Sequence, residues 1–208
     1  PDLDISYFES IFSAIKNIKE NITIVALTAV EVDYYSRKSG ISIQEFILRL
    51  KKTGWNAMPG GGAEIFSNEI RNVLAPKKIS GKQWLSVMEQ AHSNGLKTNA
   101  TMLYNHFEKD TDIIEHLKMI KDLQYKTNGF KTFVPLSFHK EKTNIQIESQ
   151  KNDAMNDIRL YTASRIYLEN IPHIKALWMY IGEKLAQVLL HFGVDDIGAT
   201  YFNEKVVH

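Results

Sequence analysis

Short β-prone apolar runs alternate with helix-period segments six times along this chain, and that alternation constrains the fold more than any single motif. The strand runs are Ile22–Thr28, Trp55–Met58, Lys97–Leu103, Phe133–Ser137, Ile174–Met179 and Ile197–Phe202, most of them rich in β-branched or aromatic residues. Apolar residues at three- and four-residue spacings predict helices before and between them. The first covers Ser6–Ile18. A second carries Phe46, Ile47 and Leu50 and is opened by Ser42 with Glu45 three residues on, a capping-box pattern. Another carries Ile65, Ile70 and Val73 and stops at Pro76. Ser80 opens the next, which closes near Gly95. Further helices are expected over Asp110–Tyr125, Asp153–Leu168 and Gly182–Phe192, and a polar loop over Lys140–Gln150.

This order implies parallel strands joined by right-handed helical crossovers. An open doubly wound sheet and a barrel both satisfy it. The polar and glycine-rich residues fall repeatedly just after the strands, where barrel sites are built, so the expected fold is α/β, a partial (β/α)8 TIM-type barrel with about six βα units. Six units are two short of eight. The sequence opens on Pro1 without a methionine and stops at Val206-Val207-His208, directly after a strand pattern. Residues 1–208 are therefore expected to form a single domain cut from a longer barrel. Its open strand edges would be covered by further chain or by a second copy in a homo-oligomer.

Composition removes several function classes. Lys and Arg number 25 against 24 Asp and Glu, a formal charge of +1, so no nucleic-acid or membrane surface is expected. No apolar run approaches the ~20 residues of a membrane span, and Pro1-Asp2-Leu3-Asp4 has no signal-peptide pattern. A cytoplasmic protein is the expectation. There is no cysteine, which excludes disulfides and any thiolate-held metal or iron–sulfur ligand within these residues. The histidines are too scattered for a metal-ligand spacing.

Three stretches could carry chemistry. In Met58-Pro59-Gly60-Gly61-Gly62-Ala63-Glu64, glycines between a strand and a helix let backbone approach a ligand, and Glu64 is placed in the helix's first turn, where it could accept hydrogen bonds from sugar hydroxyls. A tight turn with Glu64 satisfying the helix end is the plainer alternative. In Asn99 to Glu108, alternation puts Asn99, Thr101 and Leu103 on one strand face, with Tyr104, His106 and Glu108 at the strand's end. Polar Asn99 and Thr101 inside a barrel call for a partner or ligand. His106 is either a proton-handling group or a hydrogen-bonding loop residue. Glu31 and Asp33 are read as closing the first strand on one face, available for acid–base work or else capping a helix. Ser137 and His139 end the fourth strand, with nothing beside Ser137 to act as its base. His191 reads as a packed helix residue, Asp195-Asp196 as a turn, and Trp55, Trp84 and Trp178 as core.

Taken in order, Pro59 to Ile65, Glu69-Ile70-Arg71, Pro76-Lys77-Lys78, Trp84, Ala91-His92, Asn99 to Glu108, Thr127 to Phe138, Pro172 to Ala176, Gly182 to Gln187 and His191-Phe192-Gly193 resemble the futalosine branch of radical S-adenosylmethionine enzymes. Met58, Phe66, Asn99 to Tyr104 and Phe133 to Leu136 favour the aminofutalosine synthase family over the sister cyclic dehypoxanthinyl futalosine synthases. The resemblance implies a barrel enzyme of menaquinone biosynthesis. It implies S-adenosyl-L-methionine and a [4Fe-4S] cluster as cofactors, an electron donor, and a small-molecule substrate, 3-[(1-carboxyvinyl)oxy]benzoate, to which a 5′-deoxyadenosyl radical adds with loss of carbon dioxide. It implies cofactor contacts at Gly60, Gly61, Gly62, Glu64 and Arg71, substrate contacts at Asn99, Thr101, Tyr104 and Ser137, and proton handling at Glu31 and His106. The cluster's cysteines would precede Pro1. The family has glycine where this chain has Asn105, and Asp-Gly where it has Gly198-Ala199. A cluster-less barrel module, or an unrelated barrel holding phosphate at the glycine turn, would fit the residues without the resemblance.

Overall fold

The computed structural model describes residues 3–140, 143, 145 and 153–198. Six strands run in the order β1 (Ile24–Val25), β2 (Trp55–Met58), β3 (Lys97–Tyr104), β4 (Phe130–Ser137), β5 (His173–Ala176) and β6 (Asp196–Ile197). Each pairs in parallel with the next, so spatial order equals chain order. A doubly wound sheet reverses direction at a switch point. This one never does, and the result is an open part-barrel.

Helices cover its outer side: α1 (Ile5–Ile18), α2 (Ala29–Lys38), α3 (Ile43–Lys52), α4 (Asn68–Leu74), α5 (Gly81–Ser93), α6 (Asp110–Thr127), α7 (Ala154–Tyr167), α8 (Trp178–Ile181) and α9 (Glu183–Leu189). Alternation along β3 separates the two sides. Thr98, Ala100, Met102 and Tyr104 are buried against the helix layer, whereas Lys97, Asn99, Thr101 and Leu103 face the lumen. The core between sheet and helices holds Trp55, Trp84, Phe130, Phe133, Met88, Ile120 and Tyr161, all at most 1% exposed. Trp178, expected there too, is only half-buried at the start of α8.

Three elements differ from the sequence reading. The first strand keeps only Ile24–Val25 in the ladder, because Leu27 takes a left-handed φ of 57° and Thr28 then caps α2. Glu31 and Asp33 therefore lie on a helix, not at a strand's end. The fifth strand stops at Ala176, where α8 begins after Leu177. The helix after the glycine turn starts at Asn68, so Glu64 precedes it instead of sitting in its first turn. The last strand's expected extension beyond Gly198, and most of the expected loop after Lys140, lie outside the described residues. His191 is exposed, and Asp196 belongs to β6 rather than to a turn.

Candidate functional site

The glycine turn crosses the C-terminal end of β2 and lies directly on β3. A Cβ at Gly60 would stand 2.7 Å from the Asn99 carbonyl oxygen, so glycine is required for contact with protein backbone at that position. Five consecutive carbonyls of the turn have named donors. Thr101 Oγ1 donates to Gly60 O at 2.7 Å, and Trp84 Nε1 to Gly61 O at 3.2 Å. Arg71 donates from its guanidinium to Gly62 O at 2.7 Å, to Ala63 O, and to Ile79 O at 2.7 Å. Leu103 N–H donates to Glu64 O at 2.8 Å.

This satisfies the turn from within. Arg71 was expected to face a ligand carboxylate. It is 3% exposed, and its planar fork is committed to backbone oxygens, so its role here is to hold the turn. Burial pulls its guanidinium down from the ordinary value, and the Glu64 charge opposes that. Glu64 takes a left-handed φ of 47°, and its carboxylate accepts from Lys78 Nζ at 2.5 Å. Gly61 packs against Thr28 and Gly62 against Val30. The residues assigned to cofactor contact are thus engaged with one another and with β3.

The two residues expected to handle protons, Glu31 and His106, each hold local backbone. Glu31 Oε2 accepts from Thr28 N–H at 2.7 Å while Glu31 N–H donates to Thr28 Oγ1 at 3.3 Å, the reciprocal capping box of α2. His106 is 4% exposed. Its Nε2 donates to Leu103 O at 3.1 Å, and its Nδ1 stands 2.8 Å from Phe107 N and 3.0 Å from Glu108 Oε2. Glu108 seals the same loop, accepting from Asn105 N–H and His106 N–H, each at 2.8 Å. Burial pushes the Glu108 carboxyl up, but the His106 side chain and these backbone donors outweigh it and hold the group below its usual range. Asn105, where a left-handed φ of 65° is required, stands in for glycine as the residue type best suited to that region after it.

What the structure does assemble is a polar network at the C-terminal ends of β3 and β4. Tyr104 Oη donates to Asp157 Oδ1 at 2.8 Å across from α7. Asn105 Nδ2 donates to Ser137 Oγ at 3.0 Å and reaches Asp157 Oδ1 at 3.4 Å. Tyr161, beneath, donates to Pro135 O at 3.2 Å. Burial raises the Asp157 carboxyl above its ordinary value, against the lowering effect of Tyr104 and Asn105. Burial also raises both tyrosine hydroxyls, so they stay protonated donors. Tyr104 and Ser137, expected to contact substrate, stand on the helix-facing side of their strands, with Ser137 opening on a cleft of about 650 Å³ between α7 and the α8–α9 turn. His139, Asp153, Asp157, Gly182 and Lys184 line it as well. Asp157 escaped sequence reading because a lone aspartate in a helix's first turn looks like a dipole partner.

Asn99 lies apart from this network. It faces the lumen with Thr23, Lys97, Lys131, Thr132, His173 and Lys175 around a cavity of about 400 Å³ at the N-terminal end of the strands. Thr101, between the two, spends its hydroxyl on Gly60. The expected substrate residues are therefore not brought together. Among the described residues no group of three His, Cys, Asp or Glu could hold a metal. With no cysteine in the sequence, these residues do not fit an iron–sulfur cluster. No helix among the described residues is long and apolar enough to cross a membrane.

Comparison with known proteins agrees with the family reading. Residues 127–208 match the family model described as the CofH/MqnC C-terminal region. Over 211 residues the chain is 36% identical to aminodeoxyfutalosine synthase of Thermus thermophilus, covering 100% of this chain and 57% of that protein. It is also 36% identical over 207 residues to cyclic dehypoxanthine futalosine synthase of Streptomyces coelicolor, covering 100% of this chain and 52% of the relative. A third relative is 5-amino-6-(D-ribitylamino)uracil--L-tyrosine 4-hydroxyphenyl transferase of Methanococcus vannielii, 36% identical over 213 residues, with 99% and 59% covered. All three are named as enzymes, and identity does not separate them. The chain spans little more than half the length of each. Among solved structures it is similar to methylornithine synthase (PylB), with a TM-score of 0.67 and 14% identity over 92% of this chain and 51% of that one, a likeness of fold.

Proposed function

We propose that this chain is the barrel portion of an enzyme of the futalosine pathway, an aminofutalosine synthase acting by radical S-adenosylmethionine chemistry. The observation that carries the reading is similarity at 36% identity along the entire chain to aminodeoxyfutalosine synthase of Thermus thermophilus. The full reading includes S-adenosyl-L-methionine, a [4Fe-4S] cluster, an electron donor and 3-[(1-carboxyvinyl)oxy]benzoate. It requires the cluster's ligands to come from outside these 208 residues, so no step is assigned through the cluster.

The chain's own residues have roles that this reading can use. Arg71, Thr101 and Trp84 fix the turn after β2 in one conformation, which preorganises the strand ends around it. The sheet and its helix layer form a dry wall, which would keep water from a reactive intermediate.

Anaerobic full-length protein, given reductant and S-adenosylmethionine, should convert 3-[(1-carboxyvinyl)oxy]benzoate to aminofutalosine, followed by mass spectrometry. Because the cyclic dehypoxanthine futalosine synthase is as similar, its substrate is the second arm of the assay. Turnover of dehypoxanthine futalosine alone would replace the reading by the sister activity. Protein that holds no iron and turns over neither would reduce the chain to a cluster-less barrel module.

A further inference from the structure

The helix layer is left open between α6 and α7. A groove of about 520 Å³ is lined there by Ile114 and Leu117 from α6 and by Ala163 and Ile166 from α7. Ile114 is 57% and Ile166 71% exposed, so apolar surface continues out of the groove onto both helices. Lys121 and Glu169 mark its end near the α7 C-terminus, paired at 2.9 Å. The sequence of α7 indicates what fits this surface. Arg159, Ala163 and Ile166, with Thr162 beside them, share one outward stripe at three- and four-residue spacing. Small residues sit at its middle, an exposed isoleucine one turn away, and opposite charges towards its two ends. Arg159 is exposed and has no ion-pair or hydrogen-bond partner among the described residues. Glu169 has a side chain 59% exposed, and its bonds from Lys121 and Tyr125 both fall on Oε1.

We propose that this face binds a second copy of the chain, with the two α7 helices crossing antiparallel at Thr162 and Ala163. A two-fold axis there turns the stripe end for end, so that each feature meets its complement. The small residues of both copies meet at the crossing, where they let the helix axes approach closely. Residue 166 of one copy then lies opposite residue 159 of the other, and each Ile166 seats beside the other copy's groove. The long Arg159 side chain covers that isoleucine with its stem and reaches one turn further, to the other copy's Glu169. The charges thus fix the antiparallel direction, since a parallel crossing would set Arg159 against Arg159. The inference goes beyond the futalosine reading and does not need turnover.

Sedimentation velocity of full-length protein, from about 1 to 100 µM, should show a monomer–dimer equilibrium that stops at two. Ala163→Arg sets two cations against each other at the crossing. Position 163 is exposed, so the variant should keep the wild-type melting temperature and remain monomeric throughout. Arg159→Glu faces the other copy's Glu169 and should weaken the dimer at least about tenfold. Adding Glu169→Arg to that variant should recover most of the loss, which a merely apolar contact would not do. A full-length monomer at every concentration, a dimer that survives Ala163→Arg, or a charge reversal that recovers nothing would overturn the proposal. A monomer that Ala163→Arg destabilises would do so too, and would assign the groove to a segment of the longer protein. Pairing through open strand edges grows beyond two copies and is indifferent to these substitutions. Association is read without S-adenosylmethionine or substrate, so failure of the futalosine assay leaves these outcomes unaltered.

Discussion

At the scale of single residues, conserving backbone oxygen partners explains more of this structure than ligand contact does. Gly60 illustrates it, since the atoms a Cβ would strike belong to Asn99 and Ala100 in β3 and cannot swing aside. Gly60→Ala should therefore lower stability by about 1–3 kcal/mol, read as a lower urea midpoint. A glycine kept for ligand approach alone would leave that midpoint in place. Arg71 offers a sharper case. Replacement by Met leaves the Gly62, Ala63 and Ile79 carbonyls without their donor and should destabilise by about 3 kcal/mol. Lys should recover little, because a single ammonium does not reproduce a planar fork that spans three oxygens. If Arg71→Lys unfolds at the wild-type midpoint, the clamp is not what holds the turn.

At the scale of elements, His92 joins three of them. Thr127 Oγ1 donates to Leu123 O, so it accepts from His92 Nδ1–H at 2.7 Å, and Nε2 in turn accepts from Thr98 Oγ1 at 2.8 Å. The neutral ring thus ties α5 to α6 and β3. Burial, and secondarily the Lys97 charge, lowers its pKa to about 4. The unfolded chain takes up the proton near the ordinary value of about 6.5. Between those values the unfolded state binds more protons, so stability falls as pH drops through the window. Urea unfolding should show a loss on the order of 2 kcal/mol between neutral pH and about pH 4.5, much reduced in His92→Gln. His116, fully buried with Nε2–H donated to Thr101 O at 3.0 Å and its pKa lowered to about 3, adds to the same acid sensitivity. The elements themselves were largely legible, because helix periods and strand runs record which face is buried. The Ser42 and Ser80 caps stand where the sequence puts them. The first strand was overread because Ile22 to Thr28 is uniformly β-prone and nothing in it announces Leu27 turning left-handed. The site was less legible. Glycine, glutamate and arginine close together read equally as a ligand cradle and as a turn with its clamp, and only coordinates separate the two. Asp157 meets Tyr104 from 53 residues away, a distance that no local pattern encodes.

At the scale of the whole molecule, the part-barrel presents two outer edges, β1 and β6, that pair with no further strand among the described residues. Val25 on β1 is 56% exposed and Ile197 on β6 is 37% exposed. Unpaired backbone beside exposed apolar side chains invites another strand. Residues 1–208 produced alone should therefore associate in a concentration-dependent way by sedimentation velocity, and full-length protein should do so less. A clean monomer from the isolated residues at all concentrations would count against edge pairing. The pairing order also has a meaning in time. Every strand docks on the one made just before it, so at each stage of synthesis the emerging strand finds its neighbour already in place and has only one crossover to close. Chains that assemble through such near-sequence contacts avoid long searches and fold faster than those that must join distant segments. A sheet of this kind can grow at its newest edge as the ribosome delivers it, N-terminal strands first. Its exposed margin during synthesis is then a moving front one strand wide, and any slow, long-range event is left to whatever closes the sheet.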